Sequence, residues 1–166
     1  MFLVIDLIVP RKRLGLNCLD CYGSRLLGTV GGSEMSKDER PIAYHVNYKG
    51  LGKYGRPFEG SGFGVMFEDD GSTGYFYATT EKFDRIFDAL HLYNHDGPGQ
   101  PRTDDKIFIV WASQLQKAGI FYHDRFQAVI DFKNRIACCR TGFPPRFGEW
   151  STPHTWDEKM IDGLEP

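Results

Sequence analysis

A chain of 166 residues, 41% of them hydrophobic and 25% charged, has material for a core that needs neither disulfides nor metal. Its net charge of −2 supplies no basic footprint for nucleic acid and no polybasic patch for a membrane surface. Aromatic content is high at 14%, and because aromatic side chains favour pleated surfaces the composition leans towards sheet.

Residues 1–34 show no sustained period of 2 or 3.6 and read as a poorly patterned leader. They carry four basic and three acidic residues, whereas the remainder carries 16 and 19, so the two parts differ in sign. The apolar run MFLVIDLIVP is about half a membrane span and contains Asp6. The basic cluster Arg11-Lys12-Arg13 follows it, the reverse of a secretory signal. Gly31-Gly32 can be encoded by a purine-rich ribosome-binding sequence just before Met35, which predicts Met35 as the true start. The pair Cys18-Leu19-Asp20-Cys21 lacks the second ligand pair of a zinc site and the βαβ context of a redox motif. Four cysteines are too few for a disulfide scaffold, which predicts a reducing, cytoplasmic setting. Residues 35–166 are then expected to form a single β-rich globular domain.

IAYHVNY, Ile42 to Tyr48, reads as a strand. Gly50-Leu51-Gly52-Lys53-Tyr54-Gly55 matches GxGxxG, but Arg56-Pro57 and EGSGFG follow it, so no helix opens there to receive a pyrophosphate. Residues 49–62 are predicted to be a flexible loop with a weak capacity for anions. In FEDDGSTGYFYATT, both possible calcium-loop registers fail for want of oxygen ligands. Asp70-Gly71 instead predicts a two-residue type I′ hairpin pairing Asp69 with Ser72 and Phe67 with Gly74. One face then carries Phe63, Val65, Phe67, Phe76 and Ala78; the other carries Met66, Glu68, Thr73, Tyr75 and Tyr77. The acidic run becomes a solvated tip.

Glu81 to Tyr93 spaces Phe83, Ile86, Phe87 and Leu90 at i, i+3, i+4 and i+7, which predicts an amphipathic helix capped by Thr80. His91 and His95 lie four apart, but His95 falls in the breaker NHDGPGQP and no third ligand accompanies them. KIFIVWA, AGIFYH, FQAVIDF and IACCR then read as short strands joined by tight turns at Asp124-Arg125 and Lys133-Asn134-Arg135. The vicinal Cys138-Cys139 should point to opposite faces of the last strand as small buried hydrophobes. Asp131 and Arg140, on paired strands, are candidates for an ion pair. The Pro- and aromatic-rich RTGFPPRFGEWSTPH is expected to wrap over the sheet, and Thr155-Trp156-Asp157-Glu158 fits a capping box. The predicted fold class is α+β, mainly β: an antiparallel meander sheet of five to seven strands, one helix packed on it, and a short C-terminal helix.

Three segments together, GVMFEDDGSTGYFYA, DALHLYN and DFKNRIACCRTGFPP, resemble the small uncharacterised bacterial proteins of the domain of unknown function 2251 family. The resemblance runs over roughly residues 60–146 and is carried most distinctively by RTGFPP. It implies a bacterial source and a compact β-rich fold, and brings no catalytic residues with it.

No coherent metal, nucleotide or nucleophile motif survives this reading, so no cofactor is expected, nor is nucleic acid or a membrane as partner. The leading expectation is a non-enzymatic binding module, of immunity or inhibitor type, acting on a protein partner through Tyr75 and Tyr77. The alternative is a small-ligand-binding protein or enzyme with a pocket between helix and sheet. There His91, Asp131 and Arg140 would serve as base, orienting carboxylate and anion clamp.

Overall fold

The computed structural model describes residues 41–112, 114, 116–143, 148–150 and 154–164. The predicted leader, the Cys18–Cys21 pair, Met35 and the two prolines of RTGFPP lie outside the described residues. Nine strands are described: β1 (Ile42–Val46), β2 (Gly52–Phe58), β3 (Phe63–Asp69), β4 (Thr73–Thr80), β5 (Ile86–Asn94), β6 (Ile107–Ala112), β7 (Lys117–Tyr122), β8 (Arg125–Asp131) and β9 (Ile136–Cys139). All pairings are antiparallel, in one sheet ordered β1-β6-β7-β8-β9 and another ordered β2-β3-β4-β5. A shared apolar core lies between their facing sides. It includes Val65, Phe67, Phe76 and Leu90 from the four-stranded sheet and Ile109, Trp111, Ile120 and Ile130 from the five-stranded one.

This corrects the α+β expectation: among the described residues no α-helix packs on a sheet, and the segment predicted as that helix is a turn followed by β5. The physical reason is burial on both sides. From Asp88 to Tyr93 every residue is buried, the polar Asp88 and His91 included, so the strand shows no wet-and-dry alternation to set against the helical spacing. Thr80 does cap, but it caps a turn. Its hydroxyl bonds the Asp84 carboxylate, and its carbonyl accepts from Phe83 N–H at 3.0 Å. Phe83 adopts φ 58°, a left-handed conformation costly for an aromatic residue. Its ring compensates by lying on bare backbone: a Cβ on Gly55 would sit 2.8 Å from it.

Residues 49–62 are not a loop throughout, since Gly52–Phe58 forms β2. Pro57 is tolerated there because β2 is an edge of its sheet. The backbone donors upstream of β3 are taken by an internal anion, with Gly60 N–H and Gly62 N–H on the Glu81 carboxylate at 3.0 and 3.2 Å.

The β3–β4 hairpin has the expected faces but a register two residues longer, pairing Asp69 with Gly74 and Phe67 with Phe76. A slip of two leaves side-chain parity unchanged, so Val65, Phe67, Phe76 and Ala78 are still the buried face. A two-residue turn with both φ positive does occur elsewhere, at His123-Asp124 between β7 and β8.

The outer side of the five-stranded sheet holds a second apolar cluster in which Val110, Phe126, Val129 and Cys138 meet Leu164, Trp156 and Met160. Residues from Trp156 to Leu164 thus cover that face, whereas much of the stretch expected to wrap, RTGFPPRFGEWSTPH, lies outside the described residues. The expected C-terminal helix is a single 3-10 turn, Glu158–Ile161, capped by Asp157 and not by Thr155. Cys138 belongs to this outer cluster and Cys139 to the inner core, as alternation along β9 requires.

Candidate functional site

On β4, alternation sends Tyr75 and Tyr77 to the side of the four-stranded sheet that faces away from the core. Pairing sets Tyr77 opposite Met66 and Ala89, and Tyr75 opposite Glu68 and His91. The rings form a continuous row. Tyr77 and Tyr75 stack at 5.7 Å between centroids, Tyr75 and His91 at 4.8 Å, and His91 and Phe143 at 4.0 Å. Phe143 is the aromatic residue of the RTGFPP motif, so the motif closes one end of the row. At that end His91 is only 6% exposed. At the other, Tyr75 and Tyr77 remain half-buried.

The row is held from behind. His91 Nε2 lies 3.0 Å from the Tyr93 carbonyl; a carbonyl can only accept, so this nitrogen carries the proton. The His91 carbonyl accepts from Thr141 Oγ1 at 2.9 Å. A bulge between Gly74 and Tyr75 fixes where the row starts. Gly74 is required there, because a Cβ would fall 2.2 Å from the Tyr93 ring. Along the border, Lys53 Nζ meets Glu68 at 2.8 Å. Burial, then the neighbouring Glu68 carboxylate, pushes the Tyr77 hydroxyl above the usual tyrosine range, so it stays protonated and able to donate.

Tyr75, Tyr77 and His91 are therefore brought together; Asp131 and Arg140 are not. Asp131 ends β8 opposite Ile136, and its two oxygens accept from Asn134 N–H and Asn134 Nδ2, both at 2.9 Å. Arg140 lies past the other end of the hairpin. There its Nε donates to the Phe126 carbonyl at 2.7 Å, and its two Nη groups reach Glu158 at 3.0 and 3.2 Å. Its guanidinium also sits 4.0 Å over the Trp156 ring, so it fastens the C-terminal segment to the sheet. The expected Asp131–Arg140 pair does not form, and the pocket expected between helix and sheet loses its helix.

Two buried polar clusters escape sequence reasoning. Asp69, read as part of a solvated tip, is 4% exposed. It accepts from Tyr48 OH at 2.5 Å, Tyr93 OH at 2.8 Å and Gly71 N–H at 2.8 Å. Burial first, and then this carboxylate, pushes both phenols above their ordinary range. Asp88 on β5 meets His154 Nε2 at 2.9 Å, with both side chains almost fully buried. The His154 carbonyl also accepts from Cys139 N–H at 3.1 Å, so His154 ties β9 of one sheet to β5 of the other. A separation of 66 positions between Asp88 and His154 leaves no local signal of this pair.

What fold and site define, among the described residues, is a β protein of two antiparallel sheets with a row of aromatic rings on one outer face. The chain belongs to the domain of unknown function 2251 family, described as uncharacterised proteins conserved in bacteria, whose profile matches residues 54–165. It is 35% identical over 98 residues to an uncharacterised protein of Haemophilus influenzae, an alignment covering 58% of this chain and 60% of that protein. The match thus spans less than two thirds of that relative's length. No solved structure matches the chain.

Proposed function

We propose that the protein is a non-enzymatic binding module that engages a bacterial protein partner through the half-exposed end of the ring row, at Tyr75 and Tyr77. The single observation that carries this reading is the row itself. Two tyrosines are pre-stacked against a histidine whose ring is held by a hydrogen bond, so a partner meets a preformed row of rings that loses little rotamer freedom on binding. The commitments of the other polar groups support recognition over proton chemistry. Asp69, Asp88, His154 and Arg140 each hold one element to another, and Asp131 fixes the β8–β9 turn. An immunity or inhibitor role is the form of binding this reading favours, since such proteins act by covering a partner.

The test compares the wild-type chain with Tyr75→Ser/Tyr77→Ser as bait in lysate of the native host. The expected result is one protein retained stoichiometrically by wild type and lost from the variant, while the two chains melt within a few degrees of each other. Equal recovery on both baits would remove the surface from the proposal.

A further inference from the structure

A second concave site lies away from the ring row, at the end of the sandwich where β3 and β5 begin and β8 finishes. Its volume is about 670 Å³, within the range of small-molecule sites. Four aromatic side chains wall it: Phe63, Phe87, Phe132 and Trp150. They brace one another, with Phe63 stacked on Phe132 at 4.7 Å, Phe132 edge-on to Trp150 at 5.7 Å, and Phe87 parallel to Trp150 at an interplanar angle of 5°. Phe132 is the buried floor; the other three are half-exposed.

The rim is cationic. Arg85, Lys133 and Arg135 contribute three positive charges and Glu149 one negative, in a chain whose overall charge is −2. Arg85 is pre-oriented: its Nη2 reaches the two Glu149 oxygens at 2.7 and 2.9 Å, and its guanidinium lies 5.5 Å over Phe87. Glu149 is held in turn by its own N–H on the Phe87 carbonyl at 2.7 Å. Among the described residues, Lys133 and Arg135 have no carboxylate within ion-pair distance. Both sit on the β8–β9 turn that Asp131 fixes through Asn134, so Asp131 is a positioning residue for this rim.

Flat apolar walls beneath an excess of cations describe one class of ligand, and the geometry points to a small organic anion with an aromatic body. Its carboxylate or phosphate would sit among Arg85, Lys133 and Arg135, and its ring against Phe87 and Trp150. Glu149 occupies Arg85 in the ligand's absence as an internal carboxylate, and the incoming anion competes with it. This site is independent of the Tyr75–Tyr77 surface and stands or falls without it.

Titration calorimetry on the full chain with 1-naphthyl phosphate, 1-naphthoate and neutral 1-naphthol tests the assignment and separates the two head groups. At least one of the two anions is expected to bind about tenfold or more tightly than the alcohol, and Lys133→Gln/Arg135→Gln is expected to erase that preference. Glu149→Gln, which removes the competing charge without touching a cation, is expected to tighten anion binding severalfold. It also keeps the question open to measurement if the double variant folds poorly. Equal affinity for anion and alcohol, no saturable heat with any probe at millimolar concentration, or unchanged affinity in Glu149→Gln would each overturn the assignment.

Discussion

The outer faces of the two sheets are made from the same alternating backbone yet are finished differently. On the five-stranded sheet, β6 and β8 are buried on both sides, and the outward Val110, Phe126 and Val129 are covered by the chain's own C-terminal segment, with Leu164 fully buried. On the four-stranded sheet the outward positions of β2 to β4 mix Lys53 and Glu68 with Met66, Tyr75 and Tyr77, and these stay partly accessible. A strand that is greasy on both sides cannot be left wet, because each exposed apolar square ångström costs about 25 cal/mol. An amphipathic one can be left open and used. The lesson is that the tail identifies the structural face, and the ring row marks the face left open, where we propose that recognition occurs.

The largest effect expected from breaking this arrangement lies at the seam between the sheets. His154→Ala removes the partner of the buried Asp88 and releases the segment that leads into the tail, with a predicted loss of about 3–5 kcal/mol in urea unfolding at neutral pH. Asp88→Asn/His154→Gln, which removes the buried carboxylate together with its imidazole partner, should lose distinctly less than His154→Ala. Next comes Leu164→Ala, with an expected loss of about 2–4 kcal/mol from the emptied pocket beneath the tail. It carries a sharper readout as well. Iodoacetamide labelling followed by peptide mapping should find Cys138 opened by the loosened tail while Cys139, inside the sandwich, stays protected. Equal labelling of the two thiols would mean that the covers of the two sides do not come off separately. On the open face, Tyr75→Ser/Tyr77→Ser should cost only about 1 kcal/mol, because half-exposed rings leave small cavities.

Legibility in the sequence followed the same divide. Where one face is wet, period two is unambiguous, and the parity of Tyr75, Tyr77 and the buried Phe67 and Phe76 survived even a register error of two residues. Where both faces are dry, as over Asp88 to Tyr93 in β5, alternation is lost and helical spacing arises by coincidence. Nothing in the letters announces a phenylalanine at φ 58°, nor a strand containing two glycines and a proline, because each is permitted by a neighbour distant in sequence. Asp131 and Arg140 are a different case. Placing the turn at Lys133–Arg135 already implies that Asp131 faces the start of β9, and counting along the hairpin would have separated it from Arg140. Asp69 was hidden by its acidic neighbours, since only the tertiary approach of Tyr48 and Tyr93 distinguishes it from a solvated carboxylate.

The smallest effect is nil at neutral pH and appears only in alkali. Burial pushes the Cys138 thiol up to about 11, above the roughly 8.5 of an unfolded cysteine. The folded chain therefore holds this proton after the unfolded chain has released it. The stabilisation from that difference is complete below the unfolded value and is lost as pH rises through the folded one. Urea midpoints should fall between about pH 8.5 and 11, and the fall should be shallower in Cys138→Ala, with Tyr48 and Tyr93 left to contribute the remainder above their own unfolded range. Because Cys138 is dry only by virtue of the tail, Leu164→Ala should flatten the slope in the same way while leaving the inner thiol's contribution in place. Parallel pH profiles for wild type and Cys138→Ala would show that the tail does not keep the outer face of the five-stranded sheet from water, and the contrast between the two faces would fail there.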